Sequence, residues 1–119
     1  QVRRAAGAAS RALAGVTTVA TTLSAVDLGA AAEGFALGAY TYTEFRSEKS
    51  APGADKKPPS RIELLVSSPR DRTAKAALVR STAIAEAVAT AREFVNTPPS
   101  HLYRRRSQSA RRLWARQRD

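Results

Sequence analysis

The segment Arg72–Val95 constrains this chain more than any other stretch. Along it Ala77, Ile84, Val88, Ala91 and Val95 fall on one stripe, with Arg80, Glu86 and Glu93 off it. That is the pattern of an amphipathic helix with one face turned to a core. At about 1.5 Å per residue the helix runs about 36 Å. Asn96 is placed to cap its end, and Pro98 and Pro99 cannot continue it. A helix of that length outruns what a few short strands need, so it reads as a strut from a small α/β unit toward a second domain. The chain has 119 residues, 43% of them hydrophobic. That is room for one small domain, or for a piece of something larger, and too apolar for a wholly disordered chain.

Upstream the pattern alternates between helix and strand. Residues 2–13 are Ala-rich, with Val2, Ala5, Ala9 and Leu13 at helical spacing and Gly15 placed to end the helix. Residues 16–23 are dense in β-branched side chains and read as a buried or half-buried strand. Asp27 is a good N-cap for a second helix over 28–39. Within it Gly34 and Gly38 are either a close-packed helix face or incidental small residues, and spacing alone leaves both open. Tyr40-Thr-Tyr-Thr-Glu-Phe45 alternates well enough to read as a strand, and Arg61–Val66 as another. Residues 46–60, with three Pro and one Gly, read as a surface loop, and Ser67–Asp71 as a turn that offers caps to the long helix. The fold class is α/β, with about three strands and flanking helices before the long helix.

Several chemistries are excluded by what is absent. There is no Cys, which removes disulfides, thiolate zinc sites and Cys nucleophiles. A single His, His101, allows no His-based metal triad. No Gly-rich phosphate loop and no Gly-x-Ser-x-Gly elbow occurs. Glu86 and Glu93 sit two turns apart and read as solvated charges, as do Lys56 and Lys57 in the loop. His101 follows a double Pro with no nucleophile or orienting acid beside it, so it reads as a solvated or locally hydrogen-bonded imidazole. No catalytic, cofactor-binding or metal-ligating residue is assigned to any position. There is also no Met, and the chain starts at Gln1, which reads as a fragment.

The net charge is +10, which points in general to an anionic partner. Its distribution weakens that inference. Residues 104–119 hold seven Arg against one acid, Asp119, and so supply +6 of it. With Tyr103 and Trp114 nearby, that tail has the makeup of a nucleic-acid arm. The competing and favoured reading is a tail with no selected partner. No segment is long and apolar enough to span a membrane, the longest uncharged run being Ala12–Val26 with four Thr and a Ser. Residues 1–26, with three Arg and no acid, superficially suit a transit peptide, against which the missing Met argues.

Two motifs carry a family resemblance. Arg92-Glu-Phe-Val-Asn-Thr-Pro-Pro-Ser-His-Leu-Tyr103 resembles the motif that follows the interdomain helix of the leucyl aminopeptidase (cytosol aminopeptidase) family. Ala32–Ser47, with Gly34, Gly38, Tyr40 and Phe45, is similar to a Gly- and Tyr-containing segment late in the same family's N-terminal domain. The resemblance covers roughly residues 1–103, in the actinobacterial style of the family. It implies residues 1–70 as a partial N-terminal α/β domain, 71–96 as the connecting helix and 97–103 as the start of a catalytic domain. It further implies a cytoplasmic homo-hexameric exopeptidase that removes N-terminal residues from peptides, Leu preferentially. Such enzymes use two divalent metals (Mn, Zn or Mg) held by Lys, Asp and Glu side chains of the catalytic domain. None of those ligands matches a position here, so the chain is expected to be inactive alone and to hold no cofactor.

After Tyr103 the sequence departs from the family's pattern: Arg104-Arg-Arg-Ser stands where Pro and an acidic, apolar helix are usual. Residues 104–119 therefore read as an aberrant, disordered basic tail, of the kind a shifted reading frame produces. The rival readings are a nucleic-acid-binding module using that tail, with weak nonspecific affinity, and a subunit-interaction remnant. In isolation the chain is expected to aggregate or lose order, because Ile84, Val88 and Val95 would be left uncovered.

Overall fold

The computed structural model describes residues 1–45, 53 and 57–101. Most of the 46–60 loop, with Lys56, lies outside the described residues, as do Leu102, Tyr103 and the Arg-rich stretch 104–119. The first helix, α1 (Val2–Ala12), is capped by Leu13 and followed by a turn to Gly15, whose φ of 91° only glycine adopts without strain. The Gly15 amide donates to the Lys57 carbonyl at 2.8 Å and ties the end of α1 to the loop before the second strand. Strand β1 (Thr18–Thr21) pairs in parallel with β2 (Arg61–Leu64), Thr18 opposite Arg61 and Thr21 opposite Leu64. A parallel pair needs a long crossover, and here α2 (Leu28–Ala39) and the loop after it supply one.

Both strands are shorter than the sequence pattern suggests, covering 18–21 of 16–23 and 61–64 of 61–66. Each alternates exposed and half-buried residues, so one face of the pair is covered and the other is open to water. The ladder runs slightly past the strands: Arg61 donates to the Thr17 carbonyl and Leu65 to the Thr21 carbonyl, both at 3.1 Å. The α/β class holds, with two of the three expected strands. The segment 40–45 forms no strand. It leaves α2 in an extended conformation and lies along the last helix, α3 (Arg72–Asn96), because its aromatic side chains find partners there rather than a neighbouring strand.

The two remaining helix starts follow sequence expectation. Asp27 accepts from the Ala30 amide at 2.9 Å, and Asp71 from the Thr73 amide at 3.0 Å, each satisfying a donor that the first helical turn leaves without a partner. At the far end of α3 the expected cap is displaced by one residue. Thr97 closes the helix with its amide (2.9 Å) and hydroxyl (2.6 Å) both on the Glu93 carbonyl, while the Asn96 amide reaches the Tyr40 hydroxyl at 3.5 Å.

The core is built mostly from small residues. Ala6, Ala31, Phe35 and Ala85 are its buried apolar members, joined by buried Ser10, Ser24, Ser81 and Thr97. Helices α1 and α2 meet backbone to backbone. A β-carbon on Gly34 would strike the Arg3 carbonyl and lie 2.6 Å from the Ala6 β-carbon; one on Gly38 would lie 2.6 Å from the Gly7 carbonyl oxygen. The Gly34 and Gly38 pair is therefore a close-packed face, which decides the alternative that spacing left open. The approach is close enough for the Ser10 hydroxyl to donate to the Phe35 carbonyl across the two helices at 3.1 Å. Arg3 and the largely buried Glu33 form an ion pair on the same interface.

Candidate functional site

Chemistry-bearing groups are sparse in this fold. Among the described residues no three His, Cys, Asp or Glu side chains come together in an arrangement that could hold a metal ion. The described residues thus offer no set that fits the pair of divalent metals that the family resemblance implies. No helix of the described chain is long and apolar enough to cross a membrane. Glu86 is exposed, and its carbonyl accepts from the Thr90 hydroxyl one turn on. Lys57 is exposed in the loop that receives Gly15.

His101 sits where local contacts alone account for it. Its Nδ1 lies 3.0 Å from the Ser100 hydroxyl, and its ring packs against Phe45 with centroids 4.4 Å apart and planes tilted by 58°. Both residues are exposed. Phe45 holds φ at 61°, a region rarely taken by a bulky residue, and the ring contact is the visible interaction that accompanies it.

The most organised surface is the seam between 40–45 and the C-terminal turns of α3. Arg92 donates to the Leu37 carbonyl at 3.3 Å and lies 5.5 Å from the centre of the Tyr40 ring, within cation–π range. Asn96 reaches the Tyr40 hydroxyl, and the Tyr42 hydroxyl donates to Thr97 Oγ1 at 3.4 Å. Tyr40, Tyr42 and Phe45 therefore meet Arg92, Thr97 and His101 in order along the strut. The described residues of both motifs that carry the family resemblance meet at this seam. Their contacts hold the last turns of α3 and the Pro98–His101 turn against residues 40–45. Residues 40–45 read as a strand in sequence, and their contact with residues 92–101 was not legible there. The alternation at 40 and 42 was the available signal, since it also suits an extended strap.

α3 presents different residues to its two sides. Toward α2 it buries Ser81 and Ala85, with Ala74, Ala77, Val88 and Ala89 half-buried. Gly29 of α2 comes so close that a β-carbon there would sit 3.2 Å from Ser81 Oγ, so only small side chains fit that line. The expected stripe lies beside this line rather than on it: Ala77 and Val88 are half-buried, Ala91 is exposed, and Ile84 and Val95 are 38% and 85% exposed. Val79 is 70% exposed, and Leu78 and Phe94 are exposed as well. These exposed apolar side chains are spread around α3 rather than gathered on one stripe.

Comparison with known proteins bears on the family of the chain. Residues 1–49 match the family described as the cytosol aminopeptidase family, N-terminal domain. The chain is 73% identical over 103 residues to a probable cytosol aminopeptidase of Rhodococcus jostii, covering 87% of this chain and 20% of that protein. A probable cytosol aminopeptidase of Nocardia farcinica is 59% identical over 103 residues, with the same coverage of each chain. One from Streptomyces coelicolor is 44% identical over 115 residues, covering 85% of this chain and 22% of its own length. The chain spans about a fifth of the length of the curated relatives it matches. No solved structure matches it.

Proposed function

Since the chain belongs to the cytosol aminopeptidase family, we propose that it supplies the N-terminal, non-catalytic region of a leucyl aminopeptidase-like exopeptidase. The observation that carries this reading is the 73% identity over 103 residues to a relative of which they make up 20%. At that identity the local structure of the matched region carries over, while most of the relative's length has no counterpart here. The exposed Ile84, Phe94 and Val95 of α3 are in keeping with this reading, as apolar side chains that the rest of such an enzyme would cover. On this proposal the α1–α2 unit and the sheet are a rigid base, the seam over Arg92 and Asn96 aims the strut, and the chain alone hydrolyses nothing. The peptide substrates, the pair of divalent metals, the hexameric assembly and the cytoplasmic setting belong to the whole enzyme built around such a region.

A chimera tests this. The segment of the Rhodococcus jostii protein that matches this chain is replaced by the corresponding 103 residues. Release of p-nitroaniline from leucine p-nitroanilide is then followed with Mn²⁺ present. The chimera is expected to retain the parent's kcat within about threefold, and this chain alone to show no turnover. A soluble, assembled chimera without activity, or hydrolysis by the isolated chain, refutes the assignment.

A further inference from the structure

An open groove of about 560 Å³ runs between α1 and the C-terminal half of α3, with α2 as its floor. Arg3, Arg4, Arg11 and Arg92 stand along it, over Leu37 and Gly38. Arg4, Ala8 and Arg11 follow one another at helical spacing on a single face of α1, so two guanidiniums from one wall serve the same concavity. The opposite wall contributes Arg92, held in place by the Leu37 carbonyl and the Tyr40 ring. α1 itself carries no acid. Arg3 has Glu33 as its partner, whereas neither ion pair among the described residues involves Arg4 or Arg11. Several cations thus converge on one hollow with a single nearby carboxylate, already committed to Arg3.

We propose that this groove binds a phosphate-bearing small molecule, its phosphate oxygens held by Arg4, Arg11 and Arg92. The planar guanidinium fork matches phosphate oxygens bidentately, and three such groups suit a dianion better than a single carboxylate. The volume falls in the range of small-molecule sites and exceeds what one inorganic phosphate fills. Leu37, with Ala5 and Ala8, gives the organic part an apolar wall. The site is separate from the 104–119 tail in sequence and needs no metal and no catalytic group. It does not depend on the exopeptidase reading.

The test is a titration of the ¹⁵N-labelled full chain, carrying Ile84→Gln and Val95→Gln to keep it monodisperse, at fixed ionic strength. The probes are inorganic phosphate and, separately, adenosine 5′-diphosphate. Saturable shifts are expected at the amides of Ala5, Ala8, Leu37 and Gly38, at lower concentration for the diphosphate. Arg4→Gln with Arg11→Gln is expected to weaken binding at least tenfold. Arg72→Gln with Arg80→Gln, which removes the same charge from exposed positions elsewhere on α3, should leave it within twofold. Shifts confined to residues 104–119, equal weakening by the two double variants, or equal affinity for both probes would overturn the proposal. The shift map needs no groove variant, so it remains decisive if the Arg4/Arg11 variant fails to fold.

Discussion

Replacing Gly34 by Ala tests whether the α1–α2 contact organises this domain. In an open helix the change would stabilise by about 1 kcal/mol, because Gly is the poorer helix former. Here the new β-carbon meets the Arg3 carbonyl and the Ala6 β-carbon, the latter at 2.6 Å, where ordinary contact begins near 3.4 Å. Both obstacles are backbone or directly attached to it, so no side-chain rotation relieves them. The helices must part by somewhat under 1 Å, a gap that forfeits a quarter to a half of each dispersion contact across the interface. The Ser10–Phe35 hydrogen bond, already 3.1 Å, lengthens too and loses about 1 kcal/mol. Overpacking of this kind costs about 1–3 kcal/mol. Added to the lost bond and offset by the propensity gain, the expected net loss is about 2 kcal/mol. Urea unfolding followed by circular dichroism at 222 nm, in the Ile84→Gln/Val95→Gln background, should show the midpoint fall by about 1 M. Gly29→Ala is the matched control: its β-carbon would meet only the Ser81 hydroxyl at 3.2 Å and Asp27 Oδ1 at 3.6 Å, both side-chain atoms. It should stay within about 0.5 kcal/mol of the parent. Equal midpoints for Gly34→Ala and Gly29→Ala would refute the reasoning.

Three further outcomes can be measured in the same assays. Ser10→Ala leaves the helices in place but deletes the hydrogen bond from Ser10 to the Phe35 carbonyl, and should cost about 1 kcal/mol, less than Gly34→Ala. Asp71→Ala removes the cap from the first turn of α3 and should cost about 1 kcal/mol, whereas Asp71→Asn should keep most of it. Ile84→Gln with Val95→Gln should turn a parent that aggregates into a monodisperse species by light scattering, with no loss of helical signal, since both side chains are exposed. A parent already monodisperse would mean that the α3 face needs no cover.

Legibility from sequence followed the range of the interactions. The span of α2, the extent of α3 and the caps at Asp27 and Asp71 depend on neighbours within a few residues, and local pattern found them. The face that α3 buries was read one step round from its true position. The large residues Ile84 and Val95 looked like core, yet Gly29 brings α2 so close that Ser81 and Ala85 take the buried line instead. Residues 40–45 misled for a related reason: alternation marks an extended chain with two unlike faces, and a strap over a helix has the same pattern as a strand. The distant pairings of Tyr40 with Asn96 and Tyr42 with Thr97 lie 56 and 55 residues apart, beyond any periodicity in a single sequence. No site was legible in the catalytic sense, and the Arg4–Arg11 spacing on α1 gains meaning only when Arg92 arrives from the other end of the fold.

The distribution of side-chain size on α3 ties fold to function. A helix that served only its own small domain would place its large apolar residues inward, where each buried Val or Ile contributes about 1.5–3 kcal/mol. α3 does the opposite: it spends Ser and Ala on α2 and leaves Val79, Phe94 and Val95 outside. The α1–α2 unit packs through close backbone approach at Gly34 and Gly38, with Phe35 buried beside it. α3 thus gives the core only Ser81 and Ala85 among its described residues as fully buried side chains, and the aromatic strap meets it at the last turns. Cutting the strap separates the two roles. Tyr40→Ala removes the ring under Arg92 and the hydroxyl that meets Asn96, at the edge of the core. It should cost the chain itself only about 1 kcal/mol in the urea assay, because both partners are exposed. In the chimeric enzyme it should lower the temperature at which activity is lost far more than that small change accounts for, since a misdirected strut weakens the docking of everything beyond it. Equal, small losses in the isolated chain and the chimera would leave α3 as an ordinary surface helix and the strap as a decoration on it.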